Sequence, residues 1–334
     1  MQGGYLGCLS HHDPLYAYLE KEIFPQIGGD CRQGIRVFKT NGSNAVYVYE
    51  DRTTNRKVVG KFFFSERMRD WNLAGRRLER EYRNIAEFRS YLDSSIHHVA
   101  RPLGCNGALN RLLVVEYCFG EGFDSVILRA VREGNDGLLF DKLKALAYFL
   151  SSVHNRSART GRVDFGKVCH YYCTLLERLA SLVSIEEKEY FRRLCRRWHD
   201  SSMMWQDREV LVHGDATPAN FFFGDRMHVI SFDLERVRRT DRLFDLGRIA
   251  AELKHFFFQF RADPYAAEPF IGHFLWEYSC HFPDRERTFA SITRKNPFYM
   301  GMNLLRIARN SYLNWDYRRA LVAEAGNCLE WKEE

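Results

Sequence analysis

The stretch from Val212 to Glu235 constrains this chain more than any other. It places Asn220 five residues after Asp215, and Asp233 eighteen residues after Asp215. One apolar run follows Asn220, another leads into Asp233, and Gly224-Asp225 separates them. Apolar runs of this length around turn residues predict two buried strands joined by a tight turn. The three polar side chains are therefore expected at one end of a rigid hairpin.

This trio of side chains suits phosphoryl transfer. In such reactions one aspartate orients and deprotonates the hydroxyl that accepts the phosphate. An asparagine and a second aspartate hold Mg²⁺ on the nucleotide phosphates. Asp215, Asn220 and Asp233 supply these three groups, and their spacing alone leaves open which aspartate takes which role.

Composition sets broad limits. The chain has 334 residues, enough for two lobes, and its net charge is only +6. Paired arginines such as Arg192-Arg193 and Arg238-Arg239 fall mostly in helical patterns, which favours solvated helix faces over an acidic partner. The nine cysteines include no CxxC pair, and no apolar run approaches the ~20 residues that span a bilayer. We therefore expect reduced thiols and a cytoplasmic protein.

The first part of the chain has a strand-rich pattern after a helical segment. Residues 1–34 predict a helical extension that starts after Asp13-Pro14, an N-cap followed by proline. Period-two patterns then predict strands over residues 35–39, 45–50 and 58–64. The loop between the first two contains Asn41, Gly42, Ser43 and Asn44. It could cover phosphates with its backbone N–H groups or be a plain hairpin turn, since it matches neither GxGxxG nor a Walker motif.

Lys61 lies inside the third apolar strand. A buried ammonium needs a partner or a ligand phosphate, although Lys61 could instead face solvent on the polar side of the sheet. Residues 68–92 predict a charged amphipathic helix. Glu81 adjoins the apolar stripe of this helix and is the preferred partner of Lys61, with Glu79 as the rival.

Composition changes from strand-rich to helix-rich near residue 118. Strands are predicted over residues 99–103 and 111–117, and the second ends in a linker. We therefore predict a nucleotide-binding lobe over residues 1–118 and a catalytic and acceptor-binding lobe over 119–334. The second lobe is expected to be helical, with breaks near Pro264, Pro269, Pro283 and Pro297. His154, at the end of a predicted helix, is expected to be a dipole partner or core hydrogen-bonding group.

The order of these elements resembles the aminoglycoside phosphotransferase and choline kinase family, which has a bilobal protein-kinase-like fold of the α+β class. The matching motifs run from about Ile35 to Leu253. The most specific is His213-Gly214-Asp215 followed by Asn220. The others are Ile230 to Glu235, Phe244 to Gly247, and a hinge-like Leu113 to Tyr117 with Gly120.

The resemblance implies a role for each matching residue. It makes Asp215 the catalytic base and Asn220 and Asp233 ligands of Mg²⁺, with Glu235 as a further metal or orienting group. Lys61, held by Glu81, would bind the α- and β-phosphates of ATP. The remaining implied roles are phosphate cover by Asn41 to Asn44, adenine contacts from the backbone of Glu116, Tyr117 and Cys118, and a bracing role for Asp245. Residues 216–219 and Ser231-Phe232 depart from the usual family sequence without removing a functional group.

The acceptor is the least determined part of the function. Residues 241–334 contain 13 acidic and 13 basic residues, so no acidic pocket for a polycationic aminoglycoside is indicated. Aromatic residues in this region could stack on a sugar or enclose a quaternary ammonium, but core packing is the simpler interpretation. These residues are Phe256, Phe257, Phe258, Tyr265, Trp276, Tyr278 and Trp315.

Three functions remain open at this stage. The first is an ATP- and Mg²⁺-dependent kinase acting on a hydroxyl of a small molecule, such as a sugar, sugar-lipid, amino alcohol or aminoglycoside-like compound. The second is a protein or RNA kinase that uses the basic surface. The third is an inactive nucleotide-binding module. The sequence does not determine ATP over GTP or the oligomeric state.

Overall fold

A computed structural model describes residues 4–40, 45–93, 95–179 and 181–331. Within these ranges the strands are β1 Gly4–Cys8, β2 Ile35–Lys39, β3 Ala45–Asp51, β4 Lys57–Phe62, β5 His97–Val99, β6 Pro102–Asn106, β7 Leu112–Glu116, β8 Glu121–Gly122, β9 Val210–Val212, β10 Phe221–Phe223, β11 Val229–Ser231 and β12 Arg238–Thr240. The α-helices are α1 Pro14–Tyr18, α2 Trp71–Ser90, α3 Phe123–Glu133, α4 Asp136–Ser157, α5 Phe165–Glu177, α6 Ile185–Asp200, α7 Leu243–Arg261, α8 Glu268–Ser279, α9 Arg285–Ala308 and α10 Trp315–Glu330.

The chain divides into two compact units. The first unit comprises Met1–Ser90, Val99–Phe119 and Ile230–Glu235. The second comprises Tyr91–His98, Gly120–Val229 and Arg236–Glu334. The division after Phe119 falls one residue beyond the expected lobe boundary. The segment Ile230–Glu235, which sequence order assigns to the second lobe, groups with the first unit instead.

The first unit is built on a six-stranded antiparallel sheet in the order β1-β2-β3-β4-β7-β6. Strand β4 is central, and Lys61 on it pairs with Val46 of β3 on one side and Leu113 of β7 on the other. A central strand has its backbone groups satisfied on both edges. The position of the Lys61 side chain is therefore fixed by two neighbouring strands.

The helical extension expected over residues 1–34 is only part of what forms there. Asp13 caps α1 as predicted, because its Oδ1 accepts a hydrogen bond from the N–H of Leu15 at 2.9 Å. Strand β1 precedes this cap and pairs with the edge of β2, from Gly4 opposite Lys39 to Cys8 opposite Arg36. A five-residue strand with two glycines carries too weak a period to be seen in the sequence. Its partner strand stabilises it.

The strand expected over residues 99–103 is wrong in its bounds. Strand β5 ends at Val99 and β6 begins at Pro102, and only β6 joins the six-stranded sheet. Proline lacks the N–H that a central ladder needs, so it starts β6 instead of lying within a continuous strand.

The second unit is mainly helical. Helix α9 packs between α7 and α10, and α4 packs on α8. Two short antiparallel strand pairs, β8 with β10 and β9 with β12, lie in the same unit. The expected break near Pro297 is wrong, because Pro297 lies inside the continuous helix α9. Proline in a helix interior sacrifices one backbone hydrogen bond, and packing on two neighbouring helices offsets that cost here.

In the described ranges, no helix has the length and hydrophobicity required to cross a membrane.

Candidate active site

A lysine-carboxylate cluster lies in the first unit. The Nζ of Lys61 donates to Glu81 Oε2 at 2.8 Å and to Asp233 Oδ1 at 2.7 Å, and it lies 3.7 Å from Glu235 Oε2. Glu81 lies on the buried stripe of α2, whereas Glu79 is exposed. The structure therefore places Glu81 and not Glu79 against Lys61.

The charges of this cluster are unbalanced. Burial alone lowers the pKa of Lys61, but Glu81, Asp233 and Glu235 outweigh that effect and raise it, so Lys61 stays protonated. Burial raises the pKa of Glu81 to about 7, against the opposing effect of Lys61. One ammonium faces three carboxylates, so the cluster favours a further cation or a proton.

The donor set of the cluster fits a magnesium ion. Oxygen atoms of Glu81, Asp233 and Glu235 lie within 4.8 Å of one another. Carboxylate oxygens are the hard ligands that Mg²⁺ prefers in proteins. Asp233 has a φ of 54°, in the left-handed region that is costly for a residue with a side chain.

The segment that carries Asp233 is anchored within the first unit. Asn84 of α2 donates from Nδ2 to the carbonyl oxygen of Leu234 at 2.7 Å. The N–H of Ala100 donates to the carbonyl oxygen of Ser231 at 3.4 Å. These contacts on both sides of Asp233 hold its strained backbone in place. Sequence reasoning missed Asn84, because nothing local distinguishes it from other polar residues on a charged helix.

Asp215 follows β9 in the second unit and is surrounded by arginines. Its Oδ1 accepts from Arg248 at 2.6 Å and from Arg306 at 2.6 Å, and its Oδ2 lies 3.4 Å from Arg236 Nε. Burial tends to raise the pKa of Asp215, but Arg248, Arg306 and Arg236 together lower it below its usual value. The carboxylate is therefore ionised at neutral pH and able to accept a proton.

Asp245 holds the backbone of the loop that carries Asp215. Its Oδ2 accepts from the N–H of His213 at 2.7 Å, and its Oδ1 accepts from the N–H of Gly214 at 2.9 Å. His154 lies 3.3 Å from Asp245 through Nε2 and 2.9 Å from the hydroxyl of Tyr278 through Nδ1. The bracing contact implied for Asp245 is thus present, and His154 is a buried hydrogen-bonding group of the core.

Gly214 could not be replaced without moving the loop. Its φ is +77°, and a Cβ at this position would lie 2.1 Å from the carbonyl oxygen of Arg236. Only glycine combines this conformation with such a close backbone approach. The glycine before Asp215 therefore has a steric function in placing the carboxylate.

Asn220 ends a short 3₁₀ turn, Pro218–Asn220, that follows Asp215. Its Nδ2 donates to the carbonyl oxygen of Asp215 at 2.8 Å. This bond fixes the orientation of the amide and leaves its oxygen, a metal-ligand type, without a hydrogen-bond partner in the described part of the chain. The departures at residues 216–219 leave this turn intact, with Ala216 fully buried.

The linker after β7 contains a backbone N–H group that is available to donate a hydrogen bond. Glu116 is committed to Arg101, because its N–H donates to the Arg101 carbonyl at 3.0 Å and its carboxylate accepts from the Arg101 N–H at 2.6 Å. Across the described ranges, the backbone N–H of Cys118 has no hydrogen-bond partner. Tyr117 between them contacts Phe119 edge to face. The loop Asn41 to Asn44, expected to cover phosphates, lies outside the described residues.

Sequence reasoning also missed the arginines on Asp215. Arg248 lies in the second turn of α7, surrounded in sequence by Leu246, Ile249 and Ala250, and its side chain is only 1% exposed. A charged residue within such an apolar run signals a buried partner, so Arg248 could have been found. Arg306 lies 91 positions from Asp215 in sequence, and no local signal links the two.

Comparison with known proteins extends these observations. The sequence model of the phosphotransferase enzyme family matches residues 35–280, which is more than half of the chain. No curated protein shows a significant match to the sequence.

Solved structures share the fold at low identity. A macrolide 2′-phosphotransferase type I is 15% identical with a TM-score of 0.55, covering 98% of this chain and 100% of that one. An ethanolamine kinase of Plasmodium vivax is 13% identical with a TM-score of 0.58, covering 88% of this chain and 80% of that one. An ADP-bound aminoglycoside phosphotransferase, APH(2″)-Ib, is 14% identical with a TM-score of 0.52, covering 96% of this chain and 97% of that one.

These likenesses confirm the predicted α+β, protein-kinase-like fold, with an antiparallel sheet in the N-terminal part and a larger helical C-terminal part. The family match agrees with the resemblance inferred from the motifs at His213 to Asn220 and Ile230 to Glu235. The chain belongs to the phosphotransferase enzyme family.

Proposed function

We propose that this protein is an ATP- and Mg²⁺-dependent kinase that transfers the γ-phosphate to a hydroxyl group of a small molecule. The observation that carries the proposal is the arrangement around Lys61, which contacts Glu81 of α2 and Asp233 together. Such a lysine, held by one carboxylate next to a second that can bind a metal, suits the phosphates of a nucleotide. The ADP in the APH(2″)-Ib structure agrees with a nucleotide as phosphate donor.

Asp215 is proposed as the group that receives the proton of the acceptor. The acceptor oxygen forms a bond to the γ-phosphorus, its proton passes to the Asp215 carboxylate, and the bond from the γ-phosphorus to the bridging oxygen breaks to release ADP. An ionised carboxylate on a rigid loop meets the needs of this step. The contacts of Asp245 to the loop backbone supply the rigidity.

Asn220, Asp233 and Glu235 are proposed to hold Mg²⁺, and Glu81 is proposed to keep Lys61 in position. The metal would neutralise charge on the phosphates. Support comes from the type of donor each residue offers and from the negative excess around Lys61. The backbone of Glu116, Tyr117 and Cys118 is proposed as the adenine contact.

The basic surface gives little support to a protein or RNA kinase. Arg192 lies 2.5 Å from Glu177, and Arg196 lies 2.8 Å from Glu189. These arginines are paired within a solvated surface, as expected from their helical pattern. A small-molecule acceptor is therefore the preferred reading.

A phosphate-transfer screen tests the proposed function. Purified protein with ATP and Mg²⁺ is incubated with sugars, amino alcohols and aminoglycosides, and ADP and phosphorylated product are measured. We expect transfer to at least one class, lost in Asp215→Asn. Asp233→Ala is expected to abolish Mg²⁺-dependent nucleotide binding. Retained turnover in the first variant, or retained Mg²⁺ dependence in the second, would count against the assigned roles.

A further inference from the structure

Three arginines of the second unit contact Asp215, and the charges of three more lie close to these. We term the six the arginine cluster: Arg178, Arg236, Arg238, Arg248, Arg306 and Arg309. Three of them, Arg248, Arg306 and Arg236, contact the Asp215 carboxylate directly. Arg306 also lies 3.7 Å from Glu252. A single carboxylate is thus shared by three guanidinium groups.

Arg309 extends the cluster along α9. It is the C-cap of α9 and comes three residues after Arg306 in αR conformation, so both side chains lie on one side of the helix end. Arg309 is half-buried, and its side chain makes no hydrogen bond or ion pair with another residue in the described ranges. Burial lowers the pKa of its guanidinium, and the charges of Arg306, Arg178 and Arg236 lower it further. These four positive charges therefore share one locality.

Arg238 and Arg178 add charge without a matching anion. The guanidinium of Arg238 lies 4.0 Å from the ring centre of Phe244 and 5.4 Å from that of Tyr171. Neither arginine forms a hydrogen bond or ion pair through its side chain within the part of the chain that the structure describes. Arg178 is exposed at the end of α5.

The cluster carries more positive charge than nearby carboxylates balance. Arg248 and Arg306 already share Asp215 and Glu252, and the charge of Asp245 acts on Arg238. Arg178 and Arg309 have no carboxylate partner within the described residues. Asp245 is moreover occupied by two backbone N–H groups. Gathering like charges is unfavourable unless an anion joins them, above all where Arg248 is buried and Arg306 and Arg309 are half-buried. Arginine matches phosphate and carboxylate groups because its fork of N–H donors binds two oxygens at once.

We propose that the arginine cluster binds an anionic group, a phosphate or a carboxylate, on the molecule whose hydroxyl is phosphorylated. This inference rests on the proposed function, since Asp215 must contact the acceptor hydroxyl for both groups to belong to one molecule. The cluster then selects anionic acceptors and disfavours polycationic ones.

Anion binding can be measured without catalysis. Inorganic phosphate and gluconate are titrated into the full-length protein by calorimetry, in the presence of saturating Mg²⁺ and the non-hydrolysable analogue AMP-PNP. We expect binding of at least one anion, weakened at least tenfold in Arg309→Gln. Arg193→Gln removes the same charge from an exposed position on α6 and should bind as the wild type does. A stronger effect with phosphate or with gluconate identifies which anion the cluster prefers.

Two outcomes would overturn the inference. Absence of anion binding would do so directly. Competition between AMP-PNP and the anion would assign the cluster to the nucleotide phosphates. Failure of the proposed function would look different. Anion binding would still depend on Arg309, but a transfer screen that includes glucose, gluconate and glucose 6-phosphate would yield no phosphorylated compound. Where transfer occurs, kcat/KM should be at least tenfold higher for gluconate or glucose 6-phosphate than for glucose, and equal values would contradict the inference.

Discussion

Removal of the Asp215 carboxylate is expected to cost both activity and stability. Proton acceptance by a positioned carboxylate contributes about 10²- to 10⁴-fold in rate, so Asp215→Ala should lose at least about 100-fold in kcat. The same change leaves Arg248 without its anion, and the Arg248 side chain is only 1% exposed. Breaking a buried ion pair from one side costs about 3–5 kcal/mol.

The structure places this cost toward the lower end of that range. Arg248 keeps hydrogen bonds to the carbonyl of Gly214 at 2.8 Å and to Asn303 Oδ1 at 3.0 Å, and Arg306 keeps Glu252 nearby. We therefore expect Asp215→Ala to lower the free energy of unfolding by about 3 kcal/mol. Asp215→Asn retains an acceptor oxygen, so its free energy of unfolding should fall by only about 1–2 kcal/mol. Its loss of activity should be similar to that of Asp215→Ala.

Urea denaturation at pH 7 measures the effect, and kcat is measured alongside. The control is Asp225→Ala, which removes an exposed carboxylate from a turn of the same unit. In the double variant Asp215→Ala/Arg248→Met, stability should recover by about 1 kcal/mol or more because no buried charge is left unpaired, while activity stays lost. If Asp215→Ala unfolded at the same urea concentration as the wild type, the ion pairs with Arg248 and Arg306 would not exist in solution.

Three further predictions concern the cluster at Lys61 and the brace at Asp245. Lys61→Met should raise the KM for ATP at least tenfold in steady-state kinetics, since the phosphates lose an ammonium partner; an unchanged KM would refute the assignment. Asp245→Ala removes the hydrogen bonds that Asp245 accepts from the N–H groups of His213 and Gly214, which costs about 1–3 kcal/mol for each. Both the urea midpoint and kcat should therefore fall. An unchanged kcat would argue against the bracing role of Asp245. Because the pKa of Glu81 is raised to about 7 in the folded state and is about 4.3 when unfolded, the folded state holds an extra proton between these values. The free energy of unfolding should therefore fall as pH rises from 5 to 7 without divalent cations, and it should fall less in Glu81→Gln than in the wild type. Equal pH dependence in both proteins would contradict the raised pKa.

Stability linked to Asp215 has the opposite sign from that of Glu81. The pKa of Asp215 is lowered in the folded state, so the stability it contributes is present above its unfolded pKa of about 3.9. That contribution is lost as pH falls through the folded pKa. The two buried carboxylates thus affect stability with opposite dependence on pH, because arginine charges outweigh burial at Asp215, whereas burial is the largest effect at Glu81.

Much of the fold and part of the site could be predicted from local patterns. Apolar patterns identified β2, β3, β4 and β7 to within two residues, and helical periodicity identified α2. The position of Glu81 on the apolar stripe of α2 was sufficient to prefer it over Glu79. Strand β1 and the passage of α9 through Pro297 were not predictable in this way, because packing on neighbouring elements decided both.

The sequence by itself determined the family, the order of the elements and the residue types available for phosphoryl transfer. These properties can be read from the spacing of nearby residues, as in Asn220, which comes five residues after Asp215. Only the tertiary structure decided which distant charges meet. Lys61 and Asp233 are 172 positions apart, and Asp215 and Arg306 are 91 positions apart, yet each pair lies within hydrogen-bonding distance. The electrostatic character of both sites, one rich in carboxylate and one rich in arginine, arises from such long-range contacts, because a charge acts through space and not along the chain.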